Sequence, residues 1–268
     1  MTEPFVLVER DAAIVTVVMN EPETRNALSR TEQCDEMIDA LDAVNRDPDV
    51  KVLVLTGAGS VFCAGGNIKD MEAKQGFMAG TPDEIGERYR HSLQRLAKTL
   101  YGLEVPTIAA VNGPAMGAGL DLACMCDMRI ASERARFSET FVRLGLISGI
   151  GGAWFLPRAI GHARAAEMAF SGRIIDADTA LAYGLVSEVL PVEALRNRAN
   201  ALAAELAANS GVALRYAKRL LRLSERSELT VALDATAALQ TIAHLTEGHR
   251  MSVERYLEEQ RVRRAAGR

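Results

Sequence analysis

Two glycine-rich segments constrain the fold of this chain more than any other feature. The first, Gly57-Ala58-Gly59-Ser60-Val61-Phe62-Cys63-Ala64-Gly65-Gly66-Asn67-Ile68-Lys69, follows the apolar run Val50 to Thr56. The second, Val111-Asn112-Gly113-Pro114-Ala115-Met116-Gly117-Ala118-Gly119-Leu120-Asp121, closes the apolar run Thr107 to Val111. Short apolar runs of this kind are expected of strands covered on both faces, and each leads here into a helical pattern. A helix start offers unpaired N–H groups and a positive dipole end, which suits an anionic oxygen. Glycine lets a reacting carbonyl approach the backbone closely. Two such junctions converging would form an oxyanion hole from backbone donors alone. Tight-turn geometry is the plainer reading of the same glycines. A dinucleotide fingerprint at Gly117-Ala118-Gly119 is a third, but Leu122 stands where its last glycine belongs.

The rest of the chain supplies the frame. Phe5 to Glu9 and Ile14 to Met19 are β-rich runs around Arg10-Asp11-Ala12, predicting a hairpin. Ser29 with Glu32 predicts a capping box, and Cys34, Met37, Ile38, Leu41 and Val44 follow as one buried helical stripe. Hairpin, helix and the Val50 to Thr56 strand make one β-β-α turn. Glu72 to Gly80 reads as a loop, and Thr81-Pro82-Asp83-Glu84 as a second helix start whose helix extends to Gly102. A helix from Gly117 to Met125 and a strand from Met128 to Ala131 follow. This alternation predicts an α/β fold. From Pro191 onward the pattern is helical throughout, which divides the chain into a core, 1–190, and a helical region, 191–268.

Bulk properties exclude several classes of function. A net charge of −4 offers no electrostatic footprint for nucleic acid. The longest uncharged stretch, Val105 to Leu120, is interrupted by Pro106, Asn112, Gly113 and Pro114, so no membrane span is expected. The start Met-Thr-Glu-Pro lacks a secretory pattern, and Cys34, Cys63, Cys124 and Cys126 have neither disulfide nor zinc spacing. A reducing cytoplasm is the expected location, with the cysteines as buried small hydrophobes. His91, His162, His244 and His249 form no metal motif, and Ser60 and Ser148 lie in no nucleophile elbow.

The ordered segments Asn20-Glu21-Pro22-Glu23-Thr24-Arg25-Asn26-Ala27-Leu28, Phe62 to Lys69 and Val111 to Asp127 resemble the crotonase (enoyl-CoA hydratase/isomerase) family. Phe137, Leu144-Gly145-Leu146, Gly151-Gly152, Leu156-Pro157-Arg158, Gly172-Arg173, Ala182 to Val186 and Glu247-Gly248 continue the match over almost the whole chain. The resemblance implies a spiral of β-β-α turns. It also implies a helical C-terminal region used in a homotrimer or a dimer of trimers, and an acyl-CoA thioester substrate with no separate cofactor. Carried over by position, it places the oxyanion hole at the N–H groups of Gly66 and Ala118. It places Arg25, Ala27, Ala64 and Ile68 along the CoA, with Lys69 either near its phosphates or simply solvated.

Hydratases of this family use two glutamates. The first maps to Asp121, shorter by one methylene, or about 1.5 Å of reach. An acid among apolar neighbours is expected to act as general acid/base with a raised pKa. The second maps to Phe141, which cannot move a proton. Glu139, two residues earlier, has two readings: a substitute acid brought in by a shifted loop, or, more plainly, an exposed loop acid. Some isomerases of the family place an aspartate in the next loop, where this chain has Gly149-Ile150. Three readings follow: a hydratase of 2-enoyl-CoA, an isomerase with Asp121 as sole proton shuttle, and an acyl-CoA-binding scaffold with weakened catalysis.

Overall fold

The structure, a computed structural model, describes residues 3–267. Met1 and Thr2 at the N-terminus and Arg268 of the C-terminal basic cluster lie outside the described residues. The chain opens with the expected hairpin, β1 (Val6–Asp11) antiparallel to β2 (Ile14–Met19). Helix α1 (Thr31–Arg46) then returns the chain so that β3 (Val52–Gly57) lies parallel to β2, Ile14 opposite Val52 and Met19 opposite Gly57. After α2 (Ile68–Glu72), α3 (Pro82–Arg88) and α4 (Gln94–Gly102) comes β4 (Thr107–Val111), parallel to β3. The short β5 (Ala115–Met116), α5 (Ala118–Met125), β6 (Met128–Ser132) and β7 (Arg136–Ser138) follow. Next are α6 (Gly152–Ile160), α7 (His162–Ser171), β8 (Ile175–Asp176), α8 (Ala177–Tyr183) and β9 (Glu188–Leu190). Helices α9 (Val192–Ala207), α10 (Gly211–Ser224), α11 (Leu229–His244) and α12 (Glu247–Ala265) complete the chain. One sheet has the order β1-β2-β3-β4-β6-β9, and a smaller one the order β5-β7-β8.

Strand alternation divides the large sheet between two cores. Leu53, Leu55, Ala109 and Val111 face the larger core with α1, α4 and α5. Val52, Val54, Ile108, Ala110 and Ile130 face the other way, onto Leu195, Ala199 and Ala203 of α9. The helical run after Pro191 therefore begins as a cover for the sheet. Helix α10 is tied to the core by Lys218, whose Nζ donates to Val105 O at 2.7 Å and pairs with Asp127 at 2.6 Å. Among the described residues no helix is long and apolar enough to cross a membrane.

Three local expectations change. Helix α1 does not start on a Ser29–Glu32 box: Gln33 Oε1 accepts from the N–H groups of both Ser29 and Arg30. The Ser29 hydroxyl is used elsewhere, accepting from Asn67 N at 3.0 Å. The Glu72 to Gly80 loop contains a 3₁₀ turn at Gly76–Met78, and the helix between Pro82 and Gly102 widens into a π turn at Tyr89–Leu93. Thr81 and Glu84 do form the predicted capping box of α3.

Candidate active site

The two glycine-rich junctions lie side by side because backbone bonds join them. Cys63 and Ala115 form a parallel bridge, and Met116 N donates to Cys63 O at 3.0 Å. Leu28 N donates to Gly65 O at 2.7 Å and Ala64 N to Arg25 O at 3.0 Å, binding the 25–28 strap to the same place. Asn26 fastens that strap: its amide donates to Ala58 O and Val61 O, and its Oδ1 accepts from Glu21 N. Glycine is required where the junctions meet. Gly65 has φ +80°, and a Cβ there would stand 2.5 Å from Met116 O and 3.3 Å from Ala118 N. A Cβ on Gly119 would stand 2.1 Å from Cys63 O.

Gly66 and Ala118 line one narrow cavity of about 50 Å³, together with Phe77, Tyr89, Phe141 and Leu146. Neither the Gly66 N–H nor the Ala118 N–H donates to another backbone carbonyl among the described residues. Ala118 opens α5, whereas Gly66 lies just ahead of the Asn67 cap of the five-residue α2. The first donor therefore comes from the turn before a short helix rather than from a helix end. Of the residues expected along the CoA, Arg25 and Ala64 are hydrogen-bonded to each other and Ala27 is buried in the strap. Ile68 is exposed on the adjacent surface. None of these four lines the cavity; Leu28, Ser29 and Asn67 do.

Asp121 sits on α5 three residues after Ala118, so both lie on one face of the helix, and it is completely buried. Ser148 Oγ donates to Asp121 Oδ2 at 2.7 Å and accepts from Gly152 N at 2.7 Å. The expectation of an exposed loop acid at Glu139 is overturned. It is only 4% exposed, and its carboxyl turns inward beside that of Asp121. A Cβ at Gly152 would come within 2.3 Å of Asp121 Oδ1 and 2.6 Å of Glu139 Oε1, so only glycine leaves room for the pair. These two oxygens have no hydrogen-bond donor from any other residue. A proton held between them satisfies both, as in other close carboxyl pairs.

Burial is the main cause raising the pKa of both acids. Glu139 is raised further because the Asp121 charge also opposes its ionisation, while the nearby Glu139 carboxyl, the Ser148 hydroxyl and the Gly152 N–H dipole hold the Asp121 pKa down against burial. Ser148 donates to Asp121 whereas no donor reaches Glu139 Oε1, so the pair is arranged to carry its charge on Asp121 and its proton on Glu139. Glu139 and Ser148 line a second, largely apolar cavity of about 310 Å³, and Phe141 and Leu146 line both cavities. Phe141 packs on the oxyanion junction, its Cζ 3.3 Å from where a Gly117 Cβ would be.

The next loop offers no replacement acid. A Cβ on Gly149 would fall 2.2 Å from Tyr89 Cε1, so the tyrosine ring occupies the space a side chain there would need. Among the described residues no group of three or more His, Cys, Asp or Glu side chains could hold a metal ion. All four cysteines are buried, and burial pushes each thiol up to about 12. Sequence reasoning missed Ser148 as the Asp121 partner and ranked the inward reading of Glu139 below the exposed one. The only available signal was an acid two positions before a lost one.

A family model described as enoyl-CoA hydratase/isomerase matches residues 9–263. A probable enoyl-CoA hydratase of Mycobacterium bovis is 34% identical over 258 residues, 96% of each chain. The 1,2-epoxyphenylacetyl-CoA isomerase of Escherichia coli is 33% identical over 253 residues, 94% of this chain and 95% of that one. The crystal structure of an enoyl-CoA hydratase from Bacillus anthracis superposes with a TM-score of 0.88 at 30% identity, covering 95% of this chain and 96% of that one. With the fold, the paired glycine junctions and these relatives in agreement, the chain is an enzyme of the enoyl-CoA hydratase/isomerase family, built on the crotonase fold and belonging to a family that acts on CoA thioesters.

Proposed function

We propose that the protein is an enoyl-CoA hydratase, adding water across the double bond of a 2-enoyl-CoA. The observation that carries this reading is the adjacency of two free backbone donors, Gly66 N–H and Ala118 N–H, to a buried acid one helical turn beyond the second. The thioester oxygen accepts from both N–H groups, and their hold strengthens as negative charge develops on it in the enolate. One such donor contributes about 3 kcal/mol of transition-state stabilisation. Asp121, the charged member of the pair, takes a proton from water as the water oxygen bonds to Cβ. Ser148 keeps the carboxylate oriented for that step. The CoA runs over the strap formed by Arg25, Ala27 and Ala64 and past Ile68, held mainly by backbone groups. No separate cofactor enters this chemistry.

An isomerase in which Asp121 alone shuttles a proton is the second reading. Phe141 at the position of the second acid favours it, as does the likeness to the E. coli isomerase. The Asp121–Glu139 contact favours hydration, because it provides two carboxyls where a sole shuttle needs one. We also read helices α10 to α12 as the assembly region of a homotrimer or dimer of trimers, since they carry most of the large exposed apolar residues of the chain.

The test is the loss of enoyl-thioester absorbance when crotonyl-CoA is mixed with wild type and with Asp121→Asn. Loss with wild type alone supports the reading. A wild type that leaves crotonyl-CoA unchanged but moves the double bond of a 3-enoyl-CoA selects the isomerase.

A further inference from the structure

The acid position filled by Phe141 leaves hydration without a donor for Cα, yet the site contains a carboxyl that the steps above do not use. Glu139 directly follows β7 and turns into the protein, where its buried Oε1 has no hydrogen-bond donor among the described residues and lies beside Asp121 Oδ1. Burying a carboxyl against a second carboxyl is costly and serves no packing purpose. An apolar residue at 139 would fill the same space without the penalty. Gly152 keeps the space for the pair open, and Ser148 ties the loop that carries Gly152 to Asp121. Glu139 is also the member of the pair that reaches the wall of the 310 Å³ cavity, which adjoins the oxyanion cavity across Phe141 and Leu146. Around it lie Asp121 and the Cys124 thiol, which burial holds up near 12, and His162 is a further titratable residue lining the same cavity.

We propose that Glu139 is the second proton-transfer group of this enzyme, replacing from two residues upstream the acid that Phe141 displaces, and that its contact with Asp121 returns the proton between turnovers. The proposal rests on the hydratase reading. Asp121 as carboxylate takes one proton from water, the water oxygen bonds to Cβ, and the π electrons move to the thioester oxygen held by Gly66 and Ala118. The enolate then collapses, and Cα takes the proton of Glu139. The net result is addition of H and OH across the double bond, leaving Asp121 protonated and Glu139 ionised. The proton passes directly from Asp121 to Glu139 across their contact, and the starting state is restored without exchange with solvent. An acyl chain extending from the oxyanion cavity past Phe141 enters the apolar cavity, which brings its reacting carbons to the pair. The cavity has room for roughly ten atoms of water or methylene size.

The experiment measures crotonyl-CoA hydration by wild type, Asp121→Asn, Glu139→Gln and Glu139→Asp across pH. The expected result for Glu139→Gln is a fall in kcat of about 10²- to 10³-fold. KM should stay within about threefold, and the basic limb of the kcat profile should be lost. Glu139→Asp should recover part of kcat together with a basic limb. Wild-type kcat and an unchanged basic limb in Glu139→Gln, with Asp121→Asn inactive, would overturn the proposal while leaving the hydratase reading intact. An inert wild type would instead overturn the hydratase reading and the proposal with it. If Glu139→Gln does not fold, Glu139→Asp decides: a shifted basic limb supports the role, and an unmoved one refutes it.

Discussion

Ser148 Oγ donates to Asp121 Oδ2 at 2.7 Å while accepting the Gly152 N–H at 2.7 Å, so one hydroxyl couples the candidate base to the start of α6. The hydroxyl stabilises the charged form of Asp121, in opposition to burial. Ser148→Ala removes that stabilisation, and the Asp121 pKa rises further. Because the base must be ionised to act, the acidic limb of the kcat/KM profile is expected to move up by about one pH unit, the value of one lost hydrogen bond. At high pH the rate should approach that of wild type. The Gly152 N–H also loses its partner, at a cost of about 1–3 kcal/mol. Thermal unfolding and the pH profile check the two effects separately.

The carboxyl pair makes stability depend on pH in a definite direction. Both acids have folded-state pKa values raised above those of the unfolded chain. Their contribution is therefore full at pH values below the unfolded carboxyl range, around pH 4. It is lost as pH rises through the raised folded values. Glu139→Gln removes the member raised most. Wild type is expected to lose melting temperature from mildly acidic to alkaline pH, and Glu139→Gln to lose less, the difference being about 2–4 °C per kcal/mol. Melting curves at matched ionic strength decide it: parallel curves for the two proteins would contradict the assignment.

The meeting of the two junctions is sensitive to a single methyl group. Gly65→Ala places a Cβ at φ +80° and 2.5 Å from Met116 O, pushing the backbone that leads to the Ala118 N–H. The expected result is a loss of kcat/KM of about 100-fold or more, since a misplaced oxyanion donor costs that much, and a lower melting temperature. Gly102→Ala is the control. It lies at the end of α4 with nothing within 4 Å of an added Cβ. That variant should keep full activity and gain up to about 1 kcal/mol of stability from helix propensity.

Where sequence patterns are governed by local periodicity, they are legible in this chain. The strand Thr107–Val111 and the capping box at Thr81 emerge as read, because burial on both faces and cap chemistry leave local marks. The choice of Gln33 over Glu32 at the start of α1 does not, because it depends on Asn67, distant in sequence, claiming the Ser29 hydroxyl. Strand β5 has two residues, too few for any period to show. The candidate site divides along the same line. Gly66, Ala118, Asp121 and Phe141 are visible as positions in motifs. The burial of Glu139 is not, because what draws it inward is Asp121, 18 residues earlier, and the space left by Gly152, 13 residues later.

Helix α11 is rich in apolar residues yet buries only Ala232 within the chain. Leu229 is 73% exposed and Leu233 57% exposed, one turn apart on the same face. Scattered apolar residues are normal on a surface, but a row of them along one helix is a mark of a covered interface. Under the trimer reading these leucines are buried between subunits. Leu229→Glu combined with Leu233→Glu then places charges where no partner awaits them, and an unpaired buried charge is costly. Light scattering after size exclusion is expected to report about three or six subunit masses for wild type and about one for the double variant. The α1 to α9 core makes few of its contacts with this helix, so the circular-dichroism spectrum should change little. An assembled double variant would move the interface away from α11. A monomeric wild type would remove the trimer reading altogether and leave the exposed leucines as a surface property of the single chain.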